Sequence, residues 1–268
     1  MTVILSVLKI AVLVYVGLCL LVSCRQASFV YFPTSHLQWT PRDVGLDHEE
    51  LSLSSGGDET MHAWFVPVAE AEFTVLFFHG NAGNIGDRVE SIRLFAELGF
   101  NVMIIDYPGY GKSTGRPTEA GTYEAAAAAW THLVGERGLA PESISIFGRS
   151  LGGAVGAWLA EQKAPRCLVL ESAFTSIPDM GKEFYPFLPV RLLTRIKYDT
   201  LGRIGQVDCP VLILHSPQDD VIAYRHGKRL FDAAKDPKRF HELAGGHNTT
   251  VFDDAYRNVL RDFIINGE

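Results

Sequence analysis

Five consecutive residues, Gly148-Arg149-Ser150-Leu151-Gly152, form a G-x-S-x-G run, and they frame one chemical problem. A serine hydroxyl is a poor nucleophile at neutral pH and needs a neighbouring base to take its proton. The run supplies half of the answer if it forms a tight strand-to-helix turn. That turn holds the serine up in a strained conformation, and the flanking glycines let nearby backbone pass close. The other half must come from residues further along the chain, in the order serine, acid, histidine. HSPQDDVI offers Asp219 and Asp220, and AGGHNTT offers His247 between glycines and a final helix-like stretch. Of the nine histidines, only His247 sits in a late loop on the expected side, so it is the candidate base. The residues alone leave the acid open. Asp219 and Asp220 are adjacent and only one can reach the imidazole, while Glu171 at the end of a preceding apolar run is a third candidate.

Acyl transfer by such a serine also needs N–H donors for the oxyanion of the tetrahedral intermediate. One is the amide of Leu151, directly after the nucleophile at the positive end of its helix. The second belongs in the open loop His79-Gly80-Asn81-Ala82-Gly83-Asn84, with Asn81 the chosen donor and Ala82 the alternative. His79 has no carboxylate or histidine partner at ligand spacing, so it reads as a structural residue of that loop. A further stretch, DYPGYGKSTG at 106–115, ends like a phosphate-binding loop but fails the pattern. Asp106 stands where the first glycine of G-x-x-x-x-G-K-[ST] belongs, and a carboxylate there repels phosphate. Thr114 likewise replaces the third glycine of G-x-G-x-x-G. No nucleotide site is expected.

The elements that must position these residues follow from the hydrophobic rhythm. After two strand-like pieces, EELSLS and MHAWFVPV, short apolar runs alternate with helical stretches. The runs occupy 73–79, 101–106, 143–147, 167–172, 210–216 and 239–243; the helices are expected near 86–98, 117–136, 150–162, 223–234 and from 251. Near-continuous apolar strands between helices imply an α/β fold, a mostly parallel sheet of about eight strands covered on both faces. Ligand sites in such sheets lie beyond the carboxyl ends of the strands, where all the chemically interesting loops fall.

The bulk properties set limits. A chain of 268 residues with 47% hydrophobic and 21% charged residues suits one large globular domain. A net charge of −7 argues against a nucleic-acid surface. Cys19, Cys24, Cys167 and Cys209 make neither a disulfide framework nor a zinc pair. The N-terminus is different in kind: residues 3–23 are almost wholly apolar, broken by Lys9, and end in LVSC at Cys24. Two readings compete, a retained membrane helix and a signal peptide, and LVSC also resembles a bacterial lipobox in which Cys24 is lipidated. Both place the rest of the chain, 25–268, at a membrane, with the expectation of an extracytoplasmic catalytic domain.

The blocks VYFP, FFHGNAGNIGDR, IIDYPGYGKSTG, IFGRSLGGAVG, PVLILHSPQDDVI and GGHN resemble the α/β-hydrolase superfamily over essentially the whole chain after residue 24. The branch is similar to small membrane-anchored or lipoprotein hydrolases, the protein depalmitoylases and the serine aminopeptidase-like hydrolases. The resemblance implies that DYPGYGKSTG is a loop on the active-site side, and its pattern H-G-x-x-D-x-x-V/I places the acid on Asp219. Here the chain departs from the pattern, with Ser216 in the place of the usual glycine and Asp220 beside the acid. The resemblance also implies a cap over about 173–207, whose Phe184, Tyr185, Phe187 and Leu188 could shelter an acyl chain, cover a sheet edge or lean on a membrane. The sequon at Asn248 abuts His247 and is discounted. The function expected is a serine hydrolase acting on an ester or thioester, with amides open to the same chemistry and neither metal nor organic cofactor required. The competing reading is a non-catalytic, membrane-tethered binding protein on the same scaffold.

Overall fold

The computed structural model describes residues 2–54 and 59–267. Strands β1 (Glu49–Ser54) and β2 (Thr60–Val66) are antiparallel neighbours, and the turn expected between them falls on 55–58, outside the described residues. The remaining strands are β3 (Thr74–Phe78), β4 (Asn101–Ile105), β5 (Ile144–Arg149), β6 (Cys167–Glu171), β7 (Val211–His215) and β8 (Lys238–Glu242). They join one eight-stranded sheet in the order β1-β2-β4-β3-β5-β6-β7-β8, parallel from β4 onward. The order reverses on either side of β3. The loops after β3 and β5 therefore part at the point where open α/β sheets bind ligands.

The inner strands are apolar on both faces because helices cover both, whereas the edge strands β1 and β8 carry charged and polar residues. Helix α1 (Thr2–Cys24) and the single turn α2 (Ala27–Val30) precede the sheet, and α3 (Val89–Glu97) follows β3. Next come α4 (Glu119–Thr131), which ends in a wider turn at His132–Glu136, and α5 (Leu151–Gln162). The cap carries α6 (Ile177–Phe184), α7 (Val190–Leu193) and α8 (Thr200–Ile204), and the chain closes with α9 (Arg225–Ala233) and α10 (Asp254–Asn266). Alternation within each strand divides the core in two. Leu76, Phe78, Met103, Ile105, Ile146 and Leu168 pack under α4 and α5. Val75, Phe77, Val102, Ile104, Phe147 and Val169 pack against α3 and α10. Each fully buried side chain of this size contributes roughly 1.5–3 kcal/mol, so the strand register is firmly specified.

Helix α4 starts where Thr118 Oγ1 accepts from Gly121 N–H at 2.9 Å, just after Pro117. The expected helix from Gly86 instead opens as a 3₁₀ turn, Ile85–Arg88, and becomes α-helical at Val89. Asn84 caps that turn by accepting from Gly86 N–H at 2.8 Å, and its own N–H donates to Asp87 at 2.9 Å. Those side-chain bonds hold the loop after β3 in a fixed shape.

Candidate active site

Ser150 stands between the last residue of β5 and the first of α5, with φ 54° and ψ −117°. A residue with a Cβ adopts positive φ only when its surroundings force it, at a cost of order 1–3 kcal/mol. Two bonds do the forcing. Ser150 N–H donates to the Glu171 carbonyl at 2.9 Å, and Gly153 N–H returns to the Ser150 carbonyl at 2.9 Å. The glycines make room: a Cβ on Gly152 would lie 1.9 Å from the Phe78 carbonyl oxygen, and one on Gly148 would lie 2.3 Å from the Gly152 oxygen. The run G-x-S-x-G is thus a turn of strained backbone and also a close helix-to-sheet contact.

His247 lines the same cavity as Ser150, and that cavity has a volume of about 290 Å³. Its Nδ1 is 2.8 Å from Asp219 Oδ2, and the carboxylate side chain is fully buried. Burial alone would raise the Asp219 pKa. Hydrogen bonds from His247 and from the Ile222 and Val221 N–H groups outweigh it and hold the carboxyl below its ordinary value. Asp219 is therefore ionised and fixes Nδ1 as the protonated ring nitrogen, leaving Nε2 able to accept a proton. Asp220 has a different task. Its Oδ1 accepts from the His247 backbone N–H at 3.1 Å, so the two adjacent aspartates hold the ring and the main chain of one histidine. Ser216, the departure from the usual glycine, donates its hydroxyl to the Gly245 carbonyl at 2.5 Å and ties the acid loop to the histidine loop. Buried His215 contacts the Ile222 carbonyl through Nε2 at 2.8 Å from beneath the same loop.

Glu171 is not near the imidazole. It is 1% exposed, pairs with Arg149 Nε at 3.1 Å and accepts from the Tyr256 hydroxyl at 2.5 Å. Arg149 in turn donates to the His247 carbonyl at 2.5 Å. Arg149, Glu171 and Tyr256 form a buried brace from the serine turn to the histidine loop. Sequence reasoning left Arg149 as the variable position of the motif, because its pairing with Glu171 arises only when the two strands lie side by side.

On the donor side, the Leu151 and Asn81 N–H groups have no hydrogen-bond partner among the described residues, and both residues line the Ser150 cavity. Leu151 is the first residue of α5, whose leading amides are unpaired by construction. Asn81 is held from three sides. Its carbonyl accepts from Phe32 N–H at 3.0 Å and from the Tyr110 hydroxyl at 2.7 Å, and its side-chain amide donates to the Val30 carbonyl at 3.0 Å. The backbone N–H is left to serve a ligand. Ala82 has its carbonyl bound by Arg88 at 2.5 Å. His79 is fully buried, which pushes its imidazole down to about 4 and keeps it neutral, with Nδ1 2.7 Å from the Gly80 carbonyl.

DYPGYGKSTG packs beneath this loop. Asp106 is fully buried, accepts from Ile85 N–H at 3.0 Å and lies 2.8 Å from His62 Nδ1. A Cβ on Gly111 would fall 2.0 Å from that carboxylate, so the glycine is needed for the acid, not for a phosphate. Tyr107 and Tyr110 donate their hydroxyls to the His79 and Asn81 carbonyls, supporting the loop that carries the candidate donors.

Comparison with known proteins agrees with this architecture. A profile of the alpha/beta hydrolase fold matches residues 74–194. The uncharacterized protein Rv2307c of Mycobacterium tuberculosis is 34% identical over 98% of this chain and 97% of its own length. The alpha/beta hydrolase domain-containing protein WAV2 of Arabidopsis thaliana is 35% identical, covering 87% of this chain and 84% of WAV2. Among solved structures, the Pyrococcus furiosus esterase Pf2001 superposes with a TM-score of 0.72 at 17% identity, covering 88% of this chain and 97% of the esterase. The sheet order, the strained serine turn and these relatives together place the chain in the α/β-hydrolase family.

Proposed function

We propose that the protein is a serine hydrolase that cleaves an ester or thioester through an acyl-enzyme. The observation that carries this reading is the convergence in one cavity of strained Ser150, His247 paired to buried Asp219, and two unpaired backbone donors. In the reaction, His247 Nε2 takes the Ser150 hydroxyl proton as Oγ attacks the acyl carbonyl. The carbonyl oxygen becomes an oxyanion facing the Leu151 and Asn81 N–H groups. Collapse breaks the bond to the leaving group, which departs with the proton from His247. Water then enters and attacks the acyl carbonyl while giving a proton to His247, and His247 returns that proton to Ser150 Oγ as the Oγ–acyl bond breaks and the acid leaves. Asp219 holds the ring orientation and balances the imidazolium charge.

The same reading gives α1 the role of a membrane anchor. It runs 23 residues, its most apolar 18-residue stretch has a mean hydropathy of 2.6, and it is almost wholly exposed. At 1.5 Å per residue it reaches about 34 Å, enough for a hydrocarbon core of about 30 Å.

Covalent labelling by a fluorophosphonate probe tests the chemistry. Wild type is expected to label and Ser150→Ala is not. A folded wild-type protein that fails to label overturns the assignment and brings forward the non-catalytic binding reading.

A further inference from the structure

A second cavity, of about 90 Å³, adjoins the first. Phe29, Val30, Ile177, Gly181 and Tyr185 line both, so only these side chains stand between the two beneath the cap. The second is walled further by Val22 of α1 and by Leu188, Val190, Leu193 and Ile196 of the cap. Of its polar lining residues, Gln26 and Thr194 are already engaged. Gln26 donates to the Leu193 carbonyl at 2.7 Å and accepts from Arg195 N–H at 2.7 Å, and Thr194 Oγ1 donates to the Val190 carbonyl at 2.7 Å. What remains, the Tyr185 hydroxyl aside, is a hydrocarbon surface with little to hold a polar ligand.

The N-terminal helix is a structural part of this wall. Tyr15 donates to the Phe187 carbonyl at 2.8 Å and Ser23 to the Leu193 carbonyl at 3.4 Å, which seats α1 on α7 and its flanks. Phe184, Phe187 and Leu192 are 55%, 63% and 87% exposed on the same cap. A helix of membrane-spanning length thus forms one side of an apolar cavity that adjoins the one holding the candidate nucleophile.

Resting on the serine-hydrolase reading, we propose that this second cavity is an acyl-chain site and that the substrate is a long-chain acyl ester resident in the bilayer that seats α1. The ester enters sideways between α1 and the cap. Its chain lies along Val22 and Ile196 while its carbonyl reaches Ser150. Two consequences follow: α1 is retained in the working protein, and chain length is sensed by residues outside the catalytic cavity.

The test uses full-length protein in phosphatidylcholine vesicles with p-nitrophenyl butyrate and p-nitrophenyl palmitate. Val22→Trp and Ile196→Trp each narrow the passage and are expected to lower the palmitate-to-butyrate ratio of kcat/KM by about tenfold, roughly the effect of denying burial to two methylenes. Val12→Trp, on an exposed stretch of α1 away from the cavity, keeps the wild-type ratio. Palmitate ester loaded into the enzyme's own vesicles is expected to turn over faster than the same ester offered in separate vesicles. A ratio unmoved by both cavity variants, or equal rates from the two vesicle arrangements, overturns the proposal while butyrate hydrolysis keeps the serine-hydrolase reading intact. A wild type that neither hydrolyses butyrate nor takes up the fluorophosphonate brings down that reading and this proposal with it.

Discussion

Replacing Ser150 by glycine and by alanine separates the strain of the turn from its chemistry, since neither variant has a nucleophile. At φ 54° and ψ −117°, Ser150 lies outside the left-handed helical basin, which is centred on positive ψ, in territory that glycine enters without steric cost. Alanine retains the Cβ and therefore the strain, which belongs near the upper end of the usual range, about 3 kcal/mol. Glycine relieves it but gives up chain entropy of about 0.8 kcal/mol. It also loses one methyl group buried beside the cavity, worth about 0.8 kcal/mol. The surplus is about 1 kcal/mol in favour of Ser150→Gly, or about 2–4 °C in Tm for a chain of this size. Scanning calorimetry of both variants, in the same detergent and at the same pH, measures the difference. If Ser150→Gly unfolds at or below the temperature of Ser150→Ala, the turn stores no strain and the argument for a forced serine fails.

Two further substitutions probe the histidine. Asp219→Asn keeps the shape but removes the charge that fixes the ring tautomer, so fluorophosphonate labelling and ester turnover should fall about 10⁴-fold. A loss below tenfold would give the acid role to another group. Because the Asp219 pKa in the folded protein lies below its unfolded value, its stabilisation is complete above the unfolded value and is lost as pH falls through the folded one. The Tm gap between wild type and Asp219→Asn should therefore be open at pH 7 and close only in acid below the ordinary carboxylate range. Glu171→Ala leaves the partly buried Arg149 and the Tyr256 hydroxyl without their shared carboxylate and should cost about 1–3 kcal/mol, read as a fall in Tm together with slower labelling through the loosened His247 carbonyl. An unchanged Tm would show that the brace carries no weight.

The features visible in the sequence were those whose physics is local. A serine between glycines at a strand-to-helix junction announces its own turn, and the alternation of apolar runs with helices announces a parallel sheet. The choice between Asp219 and Asp220 was not local. Both carboxylates reach His247, one at the ring and one at the main chain, and adjacent residues of one type cannot be told apart by pattern. The brace of Arg149, Glu171 and Tyr256 joins positions up to 107 residues apart in number, from 149 to 256, and it exists only once β5, β6 and α10 are packed. The 3₁₀ opening at Ile85 was missed because side-chain caps from Asn84 and Asp87 override the helical pattern that follows. Nor did the apolar N-terminus reveal that it would rest on the cap, because a membrane-length run looks the same whichever face it offers to its own protein.

The short stretch from Val30 to Thr34 looks like a tether between helix and sheet, yet Phe32 and Pro33 pair in parallel with Ala82 and Gly83, and Thr34 N–H donates to the Gly83 carbonyl at 3.2 Å. Together with the Val30 carbonyl that accepts from the Asn81 side chain, this makes the loop of the proposed oxyanion donor a two-ply ribbon with one ply belonging to the N-terminal segment. Protein engineering has to respect that. A soluble version cut after residue 34 would keep every strand of the sheet and all three residues of the proposed triad, yet lose the ply that holds the Asn81 amide in place. It would also lose Val30 and Tyr31 from the core, together with the Tyr31–Tyr198 hydroxyl contact, so lower stability is expected along with a slack loop at Asn81. A cut ahead of Val30 preserves the ribbon, so the boundary of the functional unit lies inside the lead-in, several residues before the first strand of the sheet.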